Sequence, residues 1–350
     1  MTYTEAIKSG FRLVNSRWQL IVIQTVMMLF NCIGFFIMVG IPLGIAFIIF
    51  GLDLTGLSDM KDVLSLFKNP AELISKYFGL ILIIIACFLL YVLMVTTVGL
   101  YVFSGSVGII GRSVREPSFP FSMRGFFAEA RRLFMPMMWY SVLIGLIFLV
   151  ITFALGLFGG GIAAIVSAAR GQDSTLALFL GIFFSLLLVL TGLSLILGTL
   201  AVTVYGIAIL FFGGEGSLKS FTAAFRFLWS RQQAFWLYVI LLAGYIFLSF
   251  FIMLIVYPFN LLPIIGTLIS FPFQIMSYIA QGYLGLIILA VVFNYYYETE
   301  LKPAVPEAQP LVPDPDITDA TGSTSPEDIS GSQAHEQEPV PPQTDETAQN

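Results

Sequence analysis

The segment Gly213-Gly214-Glu215-Gly216-Ser217-Leu218-Lys219-Ser220 has the residue types of a phosphate-binding loop. Such a loop needs Gly directly before its Lys so that main-chain N–H groups can close on the phosphates, and Leu218 occupies that position. The segment reads instead as a helix end at Gly213-Gly214 and a new helix capped by Ser217. The single histidine, His335, lies in an acidic C-terminal segment, so residues 1–302 hold no imidazole base or ligand. Cys32 and Cys87 form no CxxC pair and read as small buried apolar residues. No carboxylate pair falls inside an apolar run, where ion and proton paths place their charges. The sequence therefore predicts no catalytic, cofactor-binding or metal-binding residues, and no proton-coupled pump. Nothing in it points to a nucleic-acid partner.

The remaining polar candidates are carboxamides within apolar stretches: Gln24, Asn31, Gln274 and Gln281. At membrane depth they either hydrogen-bond between helices or line a lumen. Gly40/Gly44 and Gly156/Gly160 have the spacing that lets helices approach closely.

These residues sit in a chain that is 58% hydrophobic and only 11% charged. Five runs lack any charge: 18–52, 77–111, 133–169, 174–214 and 232–297. A span needs about 20 apolar residues, and the last run holds two, so the sequence predicts about six transmembrane helices. Run 174–214 fits the charge distribution as one long tilted helix, or as one interrupted near Gly192 or Gly198. Gly40-Ile41-Pro42-Leu43-Gly44 is a natural break in the first run. Asn69-Pro70-Ala71-Glu72 reads as the start of the second span. Gly159 to Asp173 reads as a connection, as does Pro258 to Pro272.

Ten of the 21 acidic residues lie in 303–350, which contains no Lys or Arg; residues 1–302 therefore hold 16 basic against 11 acidic side chains, a net of +5. The Pro-rich acidic tail reads as disordered. With the N-terminus inside, 12 basic residues fall on the inner side and four (Lys61, Lys68, Lys76, Arg170) on the outer. The positive-inside rule then predicts cytoplasmic termini. Trp18, Trp139, Trp229 and Trp236 fall near the inner ends of spans, where an amphipathic ring prefers the interface.

A repeat organises the body. "FRLVNSR" begins at Phe11 and "FRFLWSR" at Phe225, each just before a long apolar run. A third copy, weaker at the heptapeptide, is "SMRGFFAEARRL" from Ser122, which aligns with "SLKSFTAAFRFL" from Ser217. Ile7, Phe11, Val14 and Trp18 share one helical face, as do Met123, Phe126, Ala130 and Leu133, and Leu218, Phe221, Phe225 and Leu228. Lys8, Arg12, Arg124, Arg131, Lys219 and Arg226 lie opposite. The pattern predicts short amphipathic elbow helices, capped at Ser122 and Ser217, with their basic residues on anionic lipid headgroups. The expected fold is an all-α polytopic membrane bundle of three elbow-plus-hairpin repeats, about 3–111, 122–213 and 217–300.

"SLKSFTAAFRFLWSRQQAFWLYVILL" from Ser217, "ARRLFMPMMWYSVL" from Ala130 and "FNYYYETEL" from Phe293 resemble elbow and exit segments of the YciC-type bacterial inner-membrane proteins. They are also similar to the membrane domain attached to some glycerophosphodiester phosphodiesterases. The resemblance covers about residues 1–302. It implies six helices in the bacterial inner membrane and supplies no catalytic residues. The phosphodiesterase activity belongs to a separate soluble domain that this sequence lacks.

Two function classes fit. One is a non-enzymatic scaffold or accessory factor, with a possible protein partner, in envelope or lipid homeostasis. The other is a carrier for a lipid or another apolar solute. A cavity lined by the carboxamides favours the carrier, and a filled bundle favours the scaffold.

Overall fold

The computed structural model describes residues 2–55, 75, 77–171, 173–258 and 265–302, and every regular element among them is helical. In chain order these are α1 (Tyr3–Ser16), α2 (Gln19–Phe35), a π-helical turn (Phe36–Gly40), α3 (Ile41–Thr55), α4 (Phe78–Arg115), α5 (Met123–Arg170), α6 (Ser174–Gly213), α7 (Ser217–Ser230), α8 (Gln232–Val256) and α9 (Ile265–Tyr296), with a terminal π turn (Tyr297–Leu301). Six helices among the described residues are long and apolar enough to cross a membrane: α2 running into α3, then α4, α5, α6, α8 and α9. The protein is a multi-pass helical membrane bundle. The expected helix start at Asn69–Glu72, residues 259–264 and the acidic tail from Pro303 lie outside the described residues; the connection expected from Pro258 to Pro272 is helix in its second half, because α9 begins at Ile265 and continues through Pro272.

Local chemistry sets the helix ends. Ser122 caps α5 by accepting from the Gly125 N–H at 3.1 Å, and Asp173 caps α6 by accepting from the Thr175 N–H at 2.8 Å. Gly214 closes α6 in the left-handed region at φ 62°, which glycine adopts without a Cβ clash. Ser217 does not cap α7, because Gly216 takes that place. The Ser217 hydroxyl instead donates to the Pro136 carbonyl at 3.2 Å, tying α7 to α5.

The run 174–214 is one uninterrupted helix of 40 residues, the first of the two forms expected for it. Two other sequence expectations change. α5 does not end at Gly159 but continues through Gly159-Gly160-Gly161 to Arg170. The break expected around Gly40–Gly44 is a π turn ending at Gly40, so the chain bulges there without leaving the helix. At 1.5 Å per residue α5 measures about 70 Å and α6 about 60 Å, roughly twice the hydrocarbon thickness. At ordinary tilt, helices of that length extend past the hydrocarbon core.

Burial follows that projection and divides the bundle into two layers. In the packed layer, the C-terminal halves of α4, α6 and α9 meet the N-terminal parts of α5 and α8, with α1 and α7 packed on them. Phe211, Phe212, Phe293, Tyr296, Phe227 and Tyr205 form a chain of ring contacts with centroids 5.3–6.2 Å apart. Such pairs contribute about 0.5–1.5 kcal/mol beyond area burial. Tyr140 donates to the Val202 and Thr203 carbonyls at 3.2 Å, and a Cβ at Gly206 would overlap its hydroxyl.

In the open layer contact thins to pairs of helices: a Cβ at Gly192 of α6 would lie 3.5 Å from Leu155 of α5, and the Phe35 and Tyr91 rings of α2 and α4 meet at 5.4 Å. Phe153 and Phe158 of α5, Phe179 and Leu186 of α6, and Phe247 and Met253 of α8 are exposed. Lipid tails are as apolar as these side chains, so no hydrophobic force drives them together. A Cβ at Gly44, Gly156 or Gly160 would meet nothing beyond its own helix within 4 Å among the described residues, and one at Gly40 would meet Phe35 and Phe36 of its own turn of chain. Close helix approach falls instead on glycines of the packed layer. The four tryptophans are exposed; Trp18, Trp139 and Trp236 sit where the packed layer gives way to the exposed apolar band.

Candidate functional site

Between α2, α4, α8 and α9 lies a cleft of about 600 Å³. Gln24 and Asn31 reach it from α2, Tyr91 from α4, Tyr245 from α8, and Tyr278 and Gln281 from α9. No described residue lining it carries a formal charge. The helical rise puts Gln24 about 9 Å and Asn31 about 20 Å beyond Trp18 along α2. Towards the packed layer the helices close around Leu20, Leu286 and Ile287, all buried. On the other side Cys32, Phe35 and Tyr278 are exposed, so the cleft opens at the flank of the bundle. Cys32 is thus a free thiol at the cleft mouth and not the buried residue expected; Cys87 is half-buried.

The polar groups of the cleft are only partly used. The Tyr91 hydroxyl donates to the Asn31 main-chain carbonyl at 3.3 Å, and Gln281 Nε2 donates to Ser277 Oγ of its own helix at 3.3 Å. The Asn31 side-chain Oδ1 is buried and has no hydrogen-bond partner. Gln274 is exposed and lies outside the cleft. None of the four carboxamide side chains bonds to another helix among the described residues.

The basic elbow residues Lys8, Arg12, Arg124, Arg131, Lys219 and Arg226 are all exposed, and none pairs with a carboxylate among the described residues. Lys8 and Arg12 line a shallow groove on α1 with Glu5 and Glu298. Lys219 and Arg226 line one on α7 with Glu215.

The two heptapeptides do the same work position by position. Phe11 and Phe225 are exposed apolar side chains, and Arg12 and Arg226 are exposed cations. Ser16 and Ser230 each donate to the carbonyl three residues back, Leu13 and Phe227, at 2.8 and 3.0 Å. This local bond competes with helix continuation. Arg17 and Arg231 then occupy the bend outside helical geometry, at φ −119° and −126°. Each anchors its bend to another part of the bundle. Arg17 donates to Ser113 Oγ, the Pro117 carbonyl and the Phe119 carbonyl. Arg231 pairs with Glu300 at 3.0 Å.

The middle copy lacks the Ser-Arg pair, and there the expected elbow is not a separate helix. Residues 123–134 form the first turns of α5, which runs on through Pro136. The faces that pack on the bundle overlap only in part with the apolar faces read from the sequence, Val14 and Leu228 belonging to both. Ala6, Gly10 and Val14 of α1, and Ser220, Ala224 and Phe227 of α7, pack on the bundle. The bulkier Phe11, Trp18, Leu218, Phe225 and Trp229 face outward.

One site residue escaped the sequence reading. Glu129, beneath the middle copy, is 2% exposed and forms ion pairs with Arg112 and Arg132 at 2.7 Å each. Those guanidiniums lie over the Phe119 and Phe211 rings at 5.3 and 5.4 Å. The signal was one of only two acids, Glu116 and Glu129, among five arginines between 112 and 132.

Comparison of the chain with protein-family models, with curated proteins and with solved structures returns no match. Functional inference therefore rests on the geometry above.

Proposed function

We propose that this is a non-enzymatic membrane protein that takes a lipid or another apolar solute into its intramembrane cleft, in the manner of a carrier, and serves lipid or envelope homeostasis. The observation behind this reading is the cleft itself: an uncharged space of about 600 Å³, flanked by carboxamides and tyrosines and open at the bundle flank. That volume is in the range of small-molecule sites, and the opening suits entry from the bilayer. Anionic headgroups at the exposed elbow cations would hold lipid near the bundle.

The proposal places the chain in a bacterial inner membrane with both termini cytoplasmic, and in the YciC-type family. The basic residues of α1, α5 and α7, together with the tryptophans, support that orientation. A second reading, an accessory scaffold with a protein partner, draws on the filled packed layer and its two anchored elbows.

Native mass spectrometry of the protein released gently from its own membrane separates the two. A bound lipid of one class, lost when Gly282→Phe fills the cleft, supports the carrier. A stoichiometric protein companion with no lipid supports the scaffold and defeats the cleft reading.

A further inference from the structure

The cleft also carries a statement about what it binds, which rests on the reading just proposed. We propose that its occupant is a neutral lipid alcohol, an uncharged molecule with a free hydroxyl on a long apolar chain, whose hydroxyl seats on the Asn31 carboxamide.

Charge is the first argument. No described lining residue is ionisable at neutral pH in a way that could meet a phosphate or an ammonium. An isolated ion placed there would lose its hydration with no compensating partner. A charged headgroup therefore suits the elbow grooves and not the cleft.

Hydrogen-bond bookkeeping is the second. Asn31 presents a buried amide atom without a partner, although Tyr91 satisfies its main-chain carbonyl nearby. In an apolar surrounding such a group is costly until something pairs with it. A hydroxyl both donates and accepts, so it satisfies the amide whichever way the carboxamide is turned. A bare hydrocarbon does neither, and a ketone or ether oxygen only accepts. Gln24 and Gln281 lie on the same cleft and extend the polar patch around that point.

Shape is the third. The cleft suits the head and first part of a lipid, with the rest of the chain leaving past the exposed Phe35 and Tyr278 into the hydrocarbon. Cys32 at the mouth supplies a built-in reporter of occupancy.

The test uses the full chain in detergent micelles and four probes: dioleoylglycerol, a long-chain prenol, the O-methyl ether of dioleoylglycerol, and dioleoyl phosphatidic acid. Binding is read as mass adducts and as protection of Cys32 from alkylation in a Cys87→Ala background. The first two probes distinguish a glycerolipid from an isoprenoid source of the same hydroxyl. Wild-type protein is expected to bind at least one alcohol about tenfold more tightly than the ether, a factor that matches one lost hydrogen bond to a buried polar group. Asn31→Leu is expected to erase that difference while still binding. Equal binding of alcohol and ether by the wild type, or tighter binding of phosphatidic acid in the cleft, overturns the inference and leaves lipid binding intact. No Cys32 protection by any probe overturns both. The ether comparison needs no variant, so a misfolded Asn31→Leu protein does not rescue the proposal.

Discussion

The packed and open layers are built from the same six helices, yet they follow different rules. In the packed layer, glycines let aromatic rings in, hydroxyls find carbonyls, and Glu129 is clamped by two arginines. In the open layer, glycines such as Gly44, Gly156 and Gly160 face open space and phenylalanines such as Phe153 and Phe158 face outward. The difference follows from the surroundings. Segments that project beyond hydrocarbon must bury their apolar surface against protein, whereas segments inside it are already solvated by chains as apolar as themselves. The cleft lies at the seam, where α2, α4, α8 and α9 have begun to part but still share polar side chains.

The largest test of that contrast is one substitution made in both layers. Phe293→Ala, at a fully buried ring, is expected to cost about 3–5 kcal/mol, whereas Phe158→Ala, at a ring 69% exposed, should cost well under about 1 kcal/mol. Thermal unfolding in micelles reads both, and equal shifts would dissolve the distinction between layers. Next come the glycines. Gly206→Ala forces Tyr140 off the α6 carbonyls, for an expected loss of about 2 kcal/mol. Gly156→Ala should be neutral or stabilising by up to about 1 kcal/mol, since alanine is the better helix former and the space is empty.

Electrostatics gives a smaller contrast. Glu129→Gln leaves two half-exposed guanidiniums without their buried carboxylate, for a cost of about 2 kcal/mol once solvent screening is allowed for. Glu298→Gln removes an exposed pair with Lys302 and should cost under about 0.5 kcal/mol. A Glu129 variant as mild as the Glu298 one would mean that the clamp is ordinary surface charge. For the elbows, Ser16→Ala and Ser230→Ala should each cost about 0.5–1 kcal/mol and extend the helix into the bend, which hydrogen exchange at Arg17 and Arg231 would register.

The smallest effect is at the N-terminus. Glu5 accepts the Thr2 main-chain N–H at 2.9 Å, and this bond holds its carboxyl below the ordinary value of 4.5. The carboxylate therefore favours α1 fully above about pH 4.5 and progressively less as pH falls through the lowered folded value. Amide exchange in the first turn of α1 should rise over that window, and a Glu5→Gln protein should show no such step.

The heptapeptides show how far reading one chain reaches. Their recurrence, and the apolar runs after them, were enough to place two elbows, six spans and the cap at Ser122, because each depends on side chains within a few positions of one another. The different tasks of the two arginines in each motif were not legible. Arg12 and Arg226 point away from the bundle, while Arg17 and Arg231 meet Ser113 and Glu300, partners about a hundred and about seventy positions distant. The third elbow was misread for a related reason. Its amphipathic pattern matched, but without Ser-Arg nothing interrupts the helix, and α5 simply continues.

The candidate site divides the same way. Gln24, Asn31 and Gln281 stood out because amides are costly in an apolar run. Their convergence with Tyr91 and Tyr245, and the exclusion of Gln274, depended on how four helices splay.

Apolar length, charge asymmetry and helical period are local properties of the chain, and they sufficed for an all-helical bundle of six membrane-spanning lengths with basic amphipathic elbows. The two layers, the Glu129 clamp and the cleft arise only when distant helices meet. Each depends on which faces touch and where contact ceases, and a helical period leaves that open because every face of such an apolar helix reads alike until a neighbour covers it.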